Sequence, residues 1–238
     1  GRSSGAPTYQ DLLQNPDDER SFDYYFTAKL GRVNVATRAV AWLGEPGIYD
    51  GVDASPNGQF ILVERVQRPY SYTIPSNLFP HLIEVWDRDG RLVRRIADLP
   101  LGERIPQRGV RTGPRSVQWR QAKPATVVWA EALDGGDPRR QVPHRDRVVA
   151  LTLPAGDTAE ITRTEFRYGG IQWGERDGLA LISEMDRPSR RTRTWILNVD
   201  QAGVAPRKLF DRNTEDAYAD LGRPMMRPTP TGENVLLQ

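Results

Sequence analysis

Residues 54–63 read ASPNGQFILV, and the same shape returns three times: SVQWRQAKPATVVW at 116–129, GIQWGERDGLALIS at 170–183 and PTPTGENVLL at 228–237. Each is a short turn followed by an apolar, β-branched run. Aligned on Pro56, Trp119, Trp173 and Pro230, the copies stand 63, 54 and 57 residues apart. A hairpin follows each of the first three: IEVWDRDGRLVRRIAD, VALTLPAGDTAEITRTE and WILNVDQAGVAPRKLFD. A unit of about four strands repeated at this period is the pattern of β-propeller blades, which bury their faces only by stacking on neighbours. A β-sandwich would use similar strands but would not repeat this order of turn, apolar strand and hairpin.

The fold class expected is therefore all-β: a partial β-propeller of about three whole four-stranded blades with parts of two more. Residues 28–48 (around GRVNVATRAVAWLG) form the outer hairpin of one blade. Residues 49–107, 108–166 and 167–222 are whole blades, and 223–238 is the first strand of the next. Strands are expected at 59–66, 81–98 (a hairpin), 125–132, 147–153, 177–184 and 193–199. Turns fall at Asn57-Gly58, Asp89-Gly90, Asp134-Gly135-Gly136, Ala155-Gly156-Asp157 and Gln201-Ala202-Gly203. Helix signals are confined to the start. Tyr9–Gln14 and Pro16–Phe26 can each form a turn or two, the second with Asn15 as N-cap and Pro16 at its first position.

Composition bounds the chemistry. The 238 residues contain no cysteine, so disulfides, thiolate metal sites and cysteine nucleophiles are excluded. Two histidines without cysteine make a metal site unexpected, and no cofactor motif is present. Hydrophobic residues are 38% and charged residues 27%, with mean hydropathy −0.60. A soluble globular chain is expected. No apolar run approaches the ~18 residues of a membrane span, and no signal peptide is visible. Net charge is +2 and the pI is about 9.0. Of 33 basic residues only Lys29, Lys123 and Lys208 are lysines; the rest are arginine. The charges alternate in sign, which reads as arginines paired with the 31 acids. A nucleic-acid binder would interleave aromatic residues with a basic stripe, so no nucleic-acid partner is expected.

The opening residues GRSSG (1–5) match G-x-S-x-G letter for letter. That motif works only where a strand ends in a strained turn and a helix follows. Ser3 has two residues before it and Pro7 close behind, so it is not read as a nucleophile. His81 and His144 have no recognisable triad setting, and no catalytic residue is assigned. Three arginine clusters carry a recognition reading instead: Arg65, Arg68, Tyr70 and Tyr72; Arg111 and Arg115; Arg187, Arg190, Arg191 and Arg193. Each adjoins an apolar run read as the first strand of a blade. Arginine can grip an acidic ligand bidentately, or it can join blades through salt bridges.

At these residues the chain resembles the N-terminal propeller of glutamyl endopeptidases, the chloroplast and bacterial branch of the prolyl oligopeptidase family. RPYSY (68–72), GPRSVQW (113–119) and EALDGGDP (131–138) carry the resemblance most specifically. YQDLLQNPDDERSFDYYFT, FPHLIEVWDRDG, RTEFRYGGIQWG and RRTRTWILN extend it along the chain in order. The resemblance implies a two-domain serine peptidase in which a C-terminal α/β-hydrolase domain, absent from this chain, carries the catalytic residues. The propeller would then gate peptide substrates and be inert alone. It further implies a cation for a glutamate side chain; the candidate substrate-binding residues are Arg68, Tyr70, Arg115, Arg190 and Arg191. Expected partners are peptide substrates, the hydrolase domain and other copies of the chain meeting at open blade edges. A non-enzymatic propeller that binds proteins is the alternative reading.

Overall fold

The structure is a computed structural model, and it describes residues 9, 11–176, 178–201, 204–216, 218 and 222–238. Ser3 and the Ala202-Gly203 part of one expected turn lie outside the described residues. The chain divides into two compact units, residues 1–113 with 136–138, and 114–135 with 139–238.

The first unit begins with α1 (Pro16–Phe26). Asn15 caps it: its side-chain oxygen accepts from the Asp17 and Asp18 amides at 2.8 and 3.0 Å. Pro16 and the acids Asp17, Asp18 and Glu19 fill the first turn, matching the missing donors and the positive end of the helix dipole. Among the described residues of Tyr9–Gln14 the expected helical turn does not form. Asp11 sits at φ 58°, and Leu12–Gln14 are irregular. Leu13 packs instead, with Phe22, against the buried cluster of Val66, Ile74 and Phe79.

Five strands follow in one antiparallel meander: β1 (Thr27–Val33), β2 (Val40–Ala54), β3 (Phe60–Val66), β4 (His81–Asp87) and β5 (Leu92–Leu99). β2 pairs with β1 through its first half and with β3 through its second, so one strand runs across residues 48 and 49. β3 and β4 lie in the sheet interior and bury Val63, Ile83, Val85 and Trp86. Asp89-Gly90 closes the β4–β5 hairpin. Asp87 Oδ1 accepts from the Asp89 and Arg91 amides, and Gly90 adopts φ 80° with Gly44 N only 2.9 Å from where a Cβ would stand.

The second unit repeats the meander twice. One sheet is β6 (Arg115–Trp119), β7 (Thr126–Ala132), β8 (Asp146–Thr152) and β9 (Thr158–Thr164). The next is β10 (Arg167–Trp173), β11 (Leu179–Asp186), β12 (Arg191–Asn198) and β13 (Arg207–Asn213). β14 (Met226–Pro228) and β15 (Asn234–Leu236) close the unit as a two-stranded sheet. The final segment thus holds a paired hairpin where a single first strand was expected.

The sheets stack in this unit. Val128, Ala130 and Val148 of one meet Tyr168, Ile171, Trp173, Ala180, Ile182 and Leu197 of the other in one buried cluster. The four aligned segments are structurally equivalent. Each turn is closed by a backbone pair across its neck: Ser55 N to Phe60 O, Arg120 N to Thr126 O, Gly174 N to Leu179 O and Thr229 N to Glu233 O. The apolar runs after those turns, read as first strands, are β3, β7, β11 and β15, and each is preceded in its sheet by a paired strand. The reason is burial. β7 and β11 are flanked on both sides by strands and covered on their faces, so they are the most continuously apolar in sequence.

Candidate functional site

The three arginine clusters reach three separate settings. Arg68 and Tyr70 lie just after β3 and hold α1. Arg68 donates to Glu19 Oε2 and Asp23 Oδ2, both at 2.6 Å, and the Tyr70 hydroxyl donates to Asp23 Oδ1. The Arg68 guanidinium lies 4.4 Å from the Tyr70 ring, which stacks on Phe79 at 5.1 Å. Burial works against the Asp23 carboxylate, but the hydrogen bonds from Arg68 and Tyr70 outweigh it and hold the group below its usual range. Arg68 remains about half exposed.

Arg115 opens β6 and enters a buried ion network. Asp146, fully buried at the start of β8, accepts from Arg115 Nη2 and from Arg167 Nη1, the latter at 2.7 Å, while its other oxygen accepts from the Tyr168 amide at 2.7 Å. Arg167 continues to buried Asp134, which also takes Arg145 Nη1 at 2.9 Å. Neighbouring sheets of the second unit are joined here by charge: Arg115 and Asp146 belong to one, Arg167 to the next.

Arg190 and Arg191 lie at the β11–β12 turn. Arg190 pairs with Glu215 and Arg191 with Asp211. Burial pushes the Asp211 carboxyl up, but hydrogen bonds from Arg191 and Lys208 prevail and bring it to about 2. Arg190 and Arg191 are about half exposed, whereas Arg115 is mostly covered. Two clefts open in the second unit. One of about 280 Å³ is lined by His144, Thr164, Glu165, Glu184 and Trp195. A wider one of about 720 Å³ holds Arg120 and Lys123, both paired with Asp200.

Sequence reading missed a fourth constellation. Asp50 on β2, Glu64 on β3 and His81 on β4 place one side-chain atom each within 4.8 Å of one another. Their residues are 31 apart at most in sequence, yet only the register brings them together. His81 pairs with Val66, two residues along β3 from Glu64 on the same face. Asp50 is the extra residue where the β2–β3 register shifts between Tyr49 and Gly51. Burial pushes the Glu64 carboxyl up; the charge of His81 opposes this, Asp50 adds to it and Arg111 opposes it. The one sequence cue was an ionisable group in two strand-like runs, Glu64 in QFILVERV and His81 at the head of HLIEVWD.

Consecutive antiparallel meanders stacked through an apolar core are the sheets of a β-propeller-like protein. An oligogalacturonate lyase structure in complex with manganese agrees in fold: TM-score 0.50 at 11% identity, over 77% of this chain and 48% of that one. No protein-family model matches the chain. By sequence it is 40% identical to a protein from Oryza sativa subsp. japonica, and 42% identical to one from Arabidopsis thaliana. Each is named "Probable glutamyl endopeptidase, chloroplastic", and each match covers 96% of this chain. The chain spans about a quarter of the length of these relatives. No helix among the described residues is long and apolar enough to cross a membrane.

Proposed function

We propose that this chain is the substrate-gating propeller portion of a glutamate-preferring serine endopeptidase of the prolyl oligopeptidase family, whose catalytic residues lie in an α/β-hydrolase domain outside these 238 residues. The 40–42% identity to probable glutamyl endopeptidases over 96% of the chain is the observation that supports this reading. The propeller limits access to the catalytic cavity, and Arg68 with Tyr70, Arg115, Arg190 and Arg191 carry the recognition of acidic peptides. The half-exposed Arg68, Arg190 and Arg191 keep donors available to a ligand. Arg115 acts from within its ion network.

The test uses a full-length peptidase carrying this chain. Arg68, Arg115, Arg190 and Arg191 are each replaced by alanine, and kcat/KM is compared on matched Glu and Gln peptides. The expected result is a loss of Glu-over-Gln discrimination of at least tenfold in one or more variants. Unchanged discrimination in all four removes the recognition role. The 238-residue chain alone is expected to turn over neither peptide, and turnover by it would overturn the division of labour.

The first unit exposes Tyr24, Tyr25 and Phe26 on α1, with Val33, Val40 and Trp42 on the β1–β2 hairpin. An apolar surface of this kind marks a contact site. The isolated chain is expected to self-associate through it and through open sheet edges. Light scattering should show mass rising with concentration and falling back in Trp42→Glu; a concentration-independent monomer would refute this.

A further inference from the structure

We infer that Asp50, Glu64 and His81 form a binding site for one zinc-class divalent cation. The anchor is His81, a side chain only 2% exposed. Its Nδ1 lies 2.6 Å from Phe79 O, a contact that requires the proton on Nδ1. In the neutral imidazole Nε2 is then a lone pair, and it faces Asp50 Oδ2 at 3.5 Å and Glu64 Oε1 at 3.9 Å. Three acceptors then converge within 4.8 Å of one another. Such an arrangement is relieved by a cation at its centre.

The geometry suits the ion. With metal–nitrogen and metal–oxygen bonds of about 2.0–2.2 Å, ligand atoms in a tetrahedral zinc site stand about 3.4 Å apart. The separations from Nε2 are already at or within half an ångström of that. The Nδ1 donation to a backbone carbonyl is the outer contact that fixes a ligating imidazole's tautomer and orientation. Arg111 shares that carbonyl and lies on the Nδ1 side of the ring: its guanidinium donates to Phe79 O at 2.6 Å and to Leu78 O and Pro100 O at 2.8 Å, which leaves Nε2 facing Asp50 and Glu64. One imidazole with two carboxylates favours zinc or a similar transition ion over magnesium or calcium, which take oxygen ligands. Asp50 and Glu64 are 56% and 37% exposed, so the fourth position opens to solvent and takes water or a ligand carboxylate. The ion would tie β2, β3 and β4 together at the Asp50 bulge.

Isothermal titration of zinc chloride into the 238-residue chain tests this. One saturable site is expected, undisturbed by millimolar magnesium. Asp50→Asn and Glu64→Gln should each weaken it at least tenfold, and the double variant should abolish it. Both side chains are accessible, and circular dichroism checks that the variants fold. His144→Ala should leave the titration unchanged. Absence of a saturable site, or zinc binding that survives both carboxylate substitutions, overturns the inference. Neither result bears on the peptidase reading, whose test is the Glu-over-Gln comparison.

Discussion

Asp146→Ala lowers the stability of the chain by about 3–5 kcal/mol. Asp146 is fully buried, and both its oxygens are used: Arg115 and Arg167 on one, the Tyr168 amide on the other. Removing it leaves two mostly covered guanidinium groups facing each other without the anion between them. It also orphans a buried backbone donor, which alone costs about 1–3 kcal/mol. Arg115→Ala is milder because Asp146 keeps Arg167 and the amide. The two substitutions share partners, so their effects should not add; a coupling energy of about 0.5–3 kcal/mol is expected in the double variant. Urea unfolding measures all three. A midpoint for Asp146→Ala within error of the parent would show that the network contributes nothing to stability. The same series separates two meanings of Arg115. If Arg115→Ala shifts the midpoint but leaves Glu-over-Gln discrimination intact, its role is to join the two sheets of the second unit.

Local signals carried the fold. Asn15-Pro16 followed by three acids is a complete helix start, and α1 begins there. Asp89-Gly90 between apolar runs is a hairpin turn by its residues alone. The repeated turn–strand segments were legible because their interior strands are buried on both faces and so are continuously apolar. What local pattern could not reveal was pairing. β2 is mostly exposed along its 15 residues and its second half, GIYDGVDA, shows no apolar run, so its continuity from β1 to β3 had no signature. The aspartate of "HRDRVV" gave no sign that it would sit between two arginines, since those come from β6 and β10. The Asp50–Glu64–His81 grouping depends on a one-residue register shift, which leaves no trace in composition or spacing. The arginine clusters were visible as residues, but their acidic partners on α1, on β13 and in the loop after it became evident only in three dimensions.

Trp173→Ala is expected to cost about 3–5 kcal/mol, as large aromatic truncations in a closed core do. Trp173 ends β10 at the position the repeat shares with Trp119 on β6, and both are almost wholly buried, Trp119 at 0% exposure. Trp173 lies in the cluster where the two sheets of the second unit meet, so the cavity left behind opens between sheets that have no covalent tie at that point. Arg120 adds a second contribution: its guanidinium stands 5.3 Å from the indole while gripping Asp200 through both terminal nitrogens at 2.8 Å. Truncation therefore loosens the β6–β7 turn together with the core. Trp173→Phe separates volume from polarity. Among the described residues the buried Trp173 Nε1 has no hydrogen-bond partner, so phenylalanine removes an unsatisfied donor while keeping a ring for Arg120 to cover. Its cost should be less than half that of alanine. Equal losses for Phe and Ala would mean that the stacked sheets depend on the full indole volume and leave the unpaired donor without a measurable penalty. A loss below about 1 kcal/mol for Ala would mean that the sheets of the second unit do not rely on this shared apolar core.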